Sequence, residues 1–129
     1  MAESSAEIVR RFCAAWEGDA VDAAAIAAFF TDDGIYHNMP LDPIVGPAGV
    51  QAFVESFTAG VQRMEFRIKN VVADGDVVLT ERVDVFVYPH TTVELPVMGT
   101  FELRDGKIAA WRDYFDIGQF TKQLEGPAS

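Results

Sequence analysis

Three pairs of polar side chains, each pair two residues apart, are the part of this sequence best suited to acid–base chemistry. The pairs are Tyr36 and Asn38, Arg82 and Asp84, and Trp111 and Asp113. Residues two apart on a strand point to the same face of a sheet. If the three faces line one cavity, that cavity holds two carboxylates, one guanidinium, one phenol and one amide.

The charges of this set indicate what it could do. With both carboxylates ionised, Asp84, Asp113 and Arg82 would carry a net negative charge inside apolar walls. Desolvation favours protonation of one carboxylate, because the group then becomes neutral. One proton donor and one proton acceptor are the requirements of combined general acid and general base catalysis. Tyr36 and Asn38 can both donate and accept hydrogen bonds, so they are suited to hold a water molecule.

The same residues have a simpler interpretation. An Arg-x-Asp pair on a strand is commonly a solvent-exposed ion pair of little energetic weight. Asp113 follows Arg112 near a strand end, and Tyr36 and Asn38 could mark a strand end and a turn. Three such pairs among apolar neighbours favour the shared pocket. No metal site is predicted, because the two histidines lie far apart without ligand spacing.

The first secondary-structure elements predicted to position these residues are helices. Apolar residues recur at helical spacing in a first helix that starts after Ser4 or Ser5. Asp22 is a candidate cap for a second helix reaching residue 29 or 30, and residues 32–34 are typical of a turn. Residues 35–38 are predicted to form a short strand, and residues 39–47 are predicted to form a loop. Pro47 is suited to begin a third helix.

The second half of the chain changes to the two-residue period of strands. Strands are predicted around residues 64–69, 80–87, 92–104 and 107–115, with a tight turn at residues 105–106 and a closing helix at 116–124. Segregated helices and an antiparallel meander predict an α+β fold. A strongly curved sheet wrapped over its helices would leave a conical central pocket. Residues 1–129 are expected to form one domain.

Composition excludes several classes of partner. The 129 residues carry a net charge of −10, which disfavours nucleic acid and anionic membranes. We find neither a signal-peptide pattern nor an apolar stretch of membrane length. The single cysteine, Cys13, cannot form an intrachain disulfide, and its apolar neighbours indicate an unreactive core thiol. A cytoplasmic location is therefore expected.

Four segments together resemble the limonene-1,2-epoxide hydrolase family. They are residues 36–41 (YHNMPL), 81–85 (ERVDV), 106–108 (GKI) and 111–116 (WRDYFD). The resemblance runs in order through nearly the whole chain. It implies a curved mixed sheet packed on three to four helices, the cone-shaped fold of nuclear transport factor 2, ketosteroid isomerase and SnoaL-like proteins. It also implies a homodimer that needs no cofactor or metal.

The resemblance implies a role for each polar residue in one-step hydrolysis of an epoxide to a vicinal diol. Asp113 matches the family's general base, which takes a proton from water held also by Tyr36 and Asn38. Asp84 matches the acid that protonates the epoxide oxygen. Arg82 matches the arginine that bridges the two carboxylates.

The apolar residues predicted to line the pocket indicate the substrate less specifically than the polar residues indicate the reaction. By position, five apolar residues are expected to face a small apolar epoxide: Phe86, Leu95, Val97, Trp111 and Phe115. Apolar pockets discriminate weakly by size, so the substrate stays open. Two alternatives on the same fold also stay open. One is an isomerase or cyclase that moves a proton on carbon, and the other is a carrier of apolar ligands without catalysis.

Overall fold

The computed structural model describes residues 3–126 and shows four helices and six strands in the order α1 α2 β1 β2 α3 β3 β4 β5 β6 α4. The helices are α1 (Ser5–Ala15), α2 (Ala23–Ala27), α3 (Pro47–Thr58) and α4 (Ile117–Leu124). The strands are β1 (Phe30–Asn38), β2 (Ile44–Val45), β3 (Arg63–Asp74), β4 (Val77–Val87), β5 (Thr92–Arg104) and β6 (Lys107–Tyr114). The predicted α+β class is confirmed.

All six strands belong to one mixed sheet with the order β2-β1-β6-β5-β4-β3. The last four strands form the antiparallel meander that the sequence predicts, and β1 pairs in parallel with β6. The β5–β6 turn consists of Asp105 and Gly106, both with positive φ, as a tight hairpin requires. Parallel pairing of β1 with β6 makes neighbours of residues about 75 positions apart in the chain.

Local sequence signals account for where the helices begin. The Ser4 hydroxyl accepts from the Glu7 amide, and the Glu7 carboxylate accepts from the Ser4 amide, which completes a capping box at α1. Pro47 occupies the first turn of α3, as predicted. Asp116 caps α4 through a 2.8 Å hydrogen bond from the Gly118 amide to its carboxylate. Among residues 3–126, no helix is long and apolar enough to cross a membrane.

Three secondary-structure predictions in the N-terminal half of the chain differ from the structure. Residues 32–34, predicted as a turn, lie within β1, where an irregularity separates the paired residues Phe30 and Ile35. Helix α2 ends at Ala27, because Phe30 already pairs with Ile108 in the sheet. The predicted loop 39–47 contains the two-residue strand β2, which pairs with β1. In each case strand pairing overrides the local turn and helix signals.

The inner face of the sheet packs on the helices and forms the core. Phe12 of α1 is fully buried and contacts the edge of Trp111 at a centroid distance of 4.9 Å. Trp16 lies close by and stacks on Phe66 at 5.1 Å. Cys13 is buried in this cluster, and burial raises the pKa of its thiol to about 12, which leaves the thiol protonated at physiological pH.

Candidate active site

The inward face of β4 carries the residues around which the site is built. Thr80, Arg82 and Asp84 alternate along this strand and are all buried, with Arg82 only 1% exposed. The alternative interpretation of Arg82 and Asp84 as a solvent-exposed ion pair is therefore excluded. Alternate residues of β4 point to the opposite face, as the two-residue period requires.

Strand register explains how Arg82 reaches Asp113, which lies two strands away. Asp113 on β6 pairs with Gly99 on β5, and Gly99 pairs with Thr80 on β4. Gly99 thus leaves an empty position on the intervening strand. A Cβ atom at Gly99 would lie 2.5 Å from Arg82 Nη1 and 2.6 Å from Asp113 Oδ1. The guanidinium crosses β5 through the space that the missing side chain leaves.

The Arg82 guanidinium binds both carboxylates at once. Its Nε and Nη2 donate to Asp84 Oδ1 and Oδ2, each at 2.9 Å. Its Nη2 and Nη1 donate to Asp113 Oδ2 and Oδ1 at 2.8 and 3.2 Å. Nη1 also donates to the Thr80 hydroxyl at 3.0 Å. The bridge predicted from the sequence is present, with every guanidinium nitrogen hydrogen-bonded.

Asp113 has one further donor that the sequence analysis did not assign. Trp111 Nε1 donates to Asp113 Oδ1 at 2.7 Å. The Trp111 ring stacks on Tyr36 at a centroid distance of 4.2 Å and on Phe101 at 5.4 Å. Trp111 is fully buried and is not among the residues that line the cavity. The structure therefore places Trp111 in the core behind the carboxylates and not in the cavity wall, where it was expected.

Burial and charge together set the ionisation of the group. Burial raises the pKa of Asp84 to about 6, and the charge and hydrogen bonds of Arg82 oppose that rise. Burial alone would lower the pKa of Arg82, but the charges of Asp113 and Asp84 hold it well above its usual value. The Phe66 ring lies 4.9 Å from the Arg82 guanidinium and adds a cation–π contact. Asp84 can therefore hold a proton at mildly acidic pH beside a permanent positive charge.

Tyr36 and Asn38 lie beside the carboxylates because of the parallel pairing of β1 with β6. Tyr36 pairs with Trp111, and Asn38 pairs with Asp113. The Tyr36 hydroxyl donates to Asn38 Oδ1 at 3.3 Å. Burial, followed by the charge of Asp113, raises the pKa of Tyr36, so the phenol stays protonated and able to donate. The five polar residues predicted from the sequence are thus brought together in one place.

These polar residues meet at an apolar cavity of about 210 Å³. Asp84, Asp113, Tyr36 and Asn38 contribute to its lining. Four of the predicted wall residues also line it: Phe86, Leu95, Val97 and Phe115. Further lining residues were missed: Phe53, Phe57, Ile117 and Phe120 on helices, and Trp16, Leu41, Met64 and Phe66 elsewhere. Helical spacing can indicate that a residue is apolar and faces the core, but not that it borders a cavity.

Gly99 and Thr80 were also not assigned by the sequence analysis. An isolated glycine within a strand often marks a place where another group approaches the backbone closely. Gly99 is such a glycine, because Arg82 and Asp113 lie against it. Thr80 carries no comparable signal, because a threonine on a strand is ordinary. Both positions become meaningful only when the register places them between Arg82 and Asp113.

Replacement of Gly99 by alanine tests this passage across β5. The added methyl group would collide with Arg82 and Asp113, so we expect kcat to fall by about a hundredfold. The free energy of unfolding should fall by about 1–3 kcal/mol, as in other overpacked sites. The matched control is Gly60→Ala, since a Cβ at Gly60 meets no atom within 4 Å. Equal activities of the two variants would contradict the passage.

Comparisons with known proteins agree on one relationship. A sequence model of the limonene-1,2-epoxide hydrolase catalytic domain matches residues 3–125. Epoxide hydrolase EphG of Mycobacterium tuberculosis is 37% identical over 106 residues, which are 82% of this chain and 67% of that protein. A solved structure of a Mycobacterium tuberculosis LEH-like epoxide hydrolase has a TM-score of 0.80 and 32% identity, covering 95% of this chain and 90% of that one.

A more distant structure extends the likeness of fold. A solved structure from Shewanella putrefaciens CN-32, described as a putative SnoaL-like polyketide cyclase, superposes with a TM-score of 0.84 at 17% identity, covering 97% of this chain and 98% of that one. At this level of identity the match concerns the fold alone. The predicted SnoaL-like fold, a mixed sheet packed on helices, is thereby confirmed.

Proposed function

The chain belongs to the limonene-1,2-epoxide hydrolase family of epoxide hydrolases, and from this premise we propose that it adds water to a small apolar epoxide to give a vicinal diol. The observation that carries the proposal is the Arg82 bridge between Asp84 and Asp113 at the edge of an apolar cavity. The bridge joins a candidate acid and a candidate base within one hydrogen-bonded unit.

We propose that the reaction takes one step. The Asp113 carboxylate takes a proton from a water molecule held by Tyr36 and Asn38, and the water oxygen forms a bond to an epoxide carbon. The bond from that carbon to the epoxide oxygen breaks, and the oxygen takes the proton of Asp84. The product is the diol, with Asp113 protonated and Asp84 ionised. Transfer of one proton from Asp113 back to Asp84 restores the starting state, and Arg82 faces the same total charge throughout.

The cavity supports a small, apolar substrate. Its volume of about 210 Å³ lies below the range of about 300–1,000 Å³ typical of sites for drug-sized ligands. Phe86, Leu95 and Val97 on the sheet and Phe57 and Phe120 on the helices give it apolar walls. A cyclic or terpene-like epoxide fits this chemistry. Binding energy would come from apolar burial, and the polar groups would act only on the epoxide ring and water.

The direct test is hydrolysis in ¹⁸O-labelled water. The protein would be incubated with limonene oxide, cyclohexene oxide, a linear epoxide and a bulky epoxide, and the diols analysed by mass spectrometry and chiral chromatography. We expect one labelled oxygen per diol. An isomerase or cyclase would incorporate none, and a carrier would bind the epoxide without converting it. Absence of labelled diol across the panel would overturn the proposal.

We predict that kcat/KM falls as the pH rises above about 6. Asp84 must be protonated to act as the acid, and burial raises its pKa to about 6. The ionised fraction increases above that pH, so kcat/KM should fall about tenfold per pH unit. Initial rates on one epoxide between pH 4 and 9, corrected for spontaneous hydrolysis, would check this. A profile that stays flat to pH 8 would remove Asp84 from the role of acid.

We also propose that the chain assembles as a homodimer. The outer face of the sheet exposes Met98 and Tyr114, which lie opposite each other on β5 and β6 and are 51% and 46% exposed. Leu79 on β4 is 44% exposed on the same face. Light scattering coupled to size-exclusion chromatography would distinguish a dimer from a 14.2 kDa monomer.

A further inference from the structure

The two buried carboxylates accept different numbers of hydrogen bonds. Asp84 accepts two hydrogen bonds, both from the Arg82 guanidinium. Asp113 accepts two from the same guanidinium and a third from Trp111 Nε1 at 2.7 Å. Since Arg82 is shared, its charge does little to distinguish the two acids. The indole N–H is the donor that only Asp113 receives.

The Trp111 N–H is held in place by its surroundings. The ring is fully buried between the faces of Tyr36 and Phe101, and Phe12 makes a T-shaped contact with it. Interdigitated aromatic packing of this kind leaves the ring few alternative rotamers. The donor is also neutral, so it stabilises the ionised form of its partner without adding a charge to the site.

We propose that Trp111 is a positioning residue that assigns the ionised state to Asp113 and leaves the proton on Asp84. This inference rests on the proposed function, in which the two acids must hold opposite protonation states. A hydrogen bond from N–H stabilises a carboxylate more than a carboxylic acid. Without it, the shared Arg82 would leave the proton divided between the two acids, and each acid would spend part of its time in the wrong state.

The other titratable groups that act on Asp113 do not make this assignment. Arg82 and Asp84 on β4 form the network itself. Tyr36 on β1 and Cys13 on α1 both have a pKa raised by burial, so both stay neutral at the pH of the reaction. On strand β5, the residue paired with Asp113 is Gly99, which has no titratable side chain. Trp111 is thus the neutral donor that distinguishes the two acids.

The test is a titration of the two carboxyl groups by ¹³C NMR in wild type and in Trp111→Phe. Resonances would be assigned by the loss of each signal in Asp84→Asn and Asp113→Asn. In Trp111→Phe we expect Asp113 to take up its proton about one pH unit higher, the size expected for one lost hydrogen bond to a charged group. Asp84 should lose its proton at lower pH, because the two groups then share one proton. Unchanged midpoints in a folded variant would overturn the proposal.

The matched control is Trp16→Phe. Trp16 belongs to the same aromatic cluster, but its Nε1 has no hydrogen-bond partner among the described residues. We expect this variant to leave both carboxyl midpoints at their wild-type pH, whatever it does to KM. A shift in Trp16→Phe equal to that in Trp111→Phe would assign the effect to repacking and overturn the proposal.

A second variant keeps the test decisive if Trp111→Phe does not fold. Both tryptophans of the chain can be replaced by benzothienylalanine, which has sulfur in place of the indole N–H and nearly the same shape. Since Trp16 Nε1 has no partner, the titration shift of this protein reports on Trp111 alone. We expect the same shift as for Trp111→Phe. Unchanged midpoints would again overturn the proposal.

The pH dependence of kcat/KM gives a separate readout. In Trp111→Phe the acidic limb should move to higher pH by about one unit and the basic limb to lower pH, which narrows the profile. Limbs that stay at their wild-type pH would overturn the assignment. If wild type converts no epoxide, the proposed function fails, while the NMR titration still decides whether Trp111 sets the protonation states.

Discussion

Replacement of Asp113 by asparagine is expected to lower kcat for epoxide hydrolysis by about a thousandfold or more while the fold stays intact. The amide cannot take a proton from water, and general base catalysis contributes about 10²–10⁴-fold. Its oxygen can still accept from Trp111 Nε1 and Arg82 Nη1, and only the hydrogen bond from Arg82 Nη2 is lost, because the amide NH2 cannot accept it. The rate of diol formation measures kcat, and circular dichroism with a thermal melt measures whether the fold is intact.

Asp84→Asn should have a similarly large effect for a different reason. The variant cannot give a proton to the epoxide oxygen, although its side chain fills the same space. Asp74→Asn, at an exposed aspartate at the end of β3, serves as the control and should keep wild-type activity. If either Asp113→Asn or Asp84→Asn retained more than a tenth of wild-type kcat, that residue's proposed role would be wrong.

Replacement of Arg82 by methionine is expected to cause the largest loss of stability. Removal of the guanidinium leaves Asp84 and Asp113 buried without their common counter-charge. Breaking a buried ion pair by removing one partner typically costs about 3–5 kcal/mol. Chemical denaturation at pH 7 would measure this loss. The loss should be smaller at pH 5, where protonation of the carboxyl groups relieves the repulsion.

Two comparison variants separate the charge effect from lost packing. In Arg82→Met combined with Asp84→Asn and Asp113→Asn, no unpaired charge stays buried, so most of the stability should return without activity. Arg67→Met removes an exposed arginine paired with Glu65 and should change stability by less than about 1 kcal/mol. Equal losses in Arg82→Met and Arg67→Met would show that the buried network contributes little to stability.

The elements that depend on local signals were predictable from the sequence. The caps at Ser4 and Asp116, the proline that begins α3 and the Asp105–Gly106 turn all act within a few residues of themselves. The inward face of β4 followed from the two-residue period. The residues of β1 carry no local signal for pairing with β6. The sequence therefore predicted a turn at residues 32–34, where the structure has a strand.

The polar set was predictable, but its supporting contacts were not. Periodicity selects three pairs that each share a strand face: Tyr36 with Asn38, Arg82 with Asp84 and Trp111 with Asp113. The family resemblance adds the role of each residue. Periodicity cannot show that Gly99 opens a passage across β5, since that depends on the register of three strands. It also assigns Trp111 to the inner face without distinguishing the cavity from the core behind it.

The division of the site between sheet and helices has a consequence for engineering. The proposed acid Asp84, the proposed base Asp113 and the bridging Arg82 belong to β4 and β6, whereas three cavity-lining phenylalanines belong to α3 and α4: Phe53, Phe57 and Phe120. A library confined to these three phenylalanines would reshape the cavity without touching a hydrogen bond of the carboxylate network. Under the proposed function, natural or laboratory evolution could therefore exchange one epoxide for another while the residues proposed to transfer protons stay unchanged.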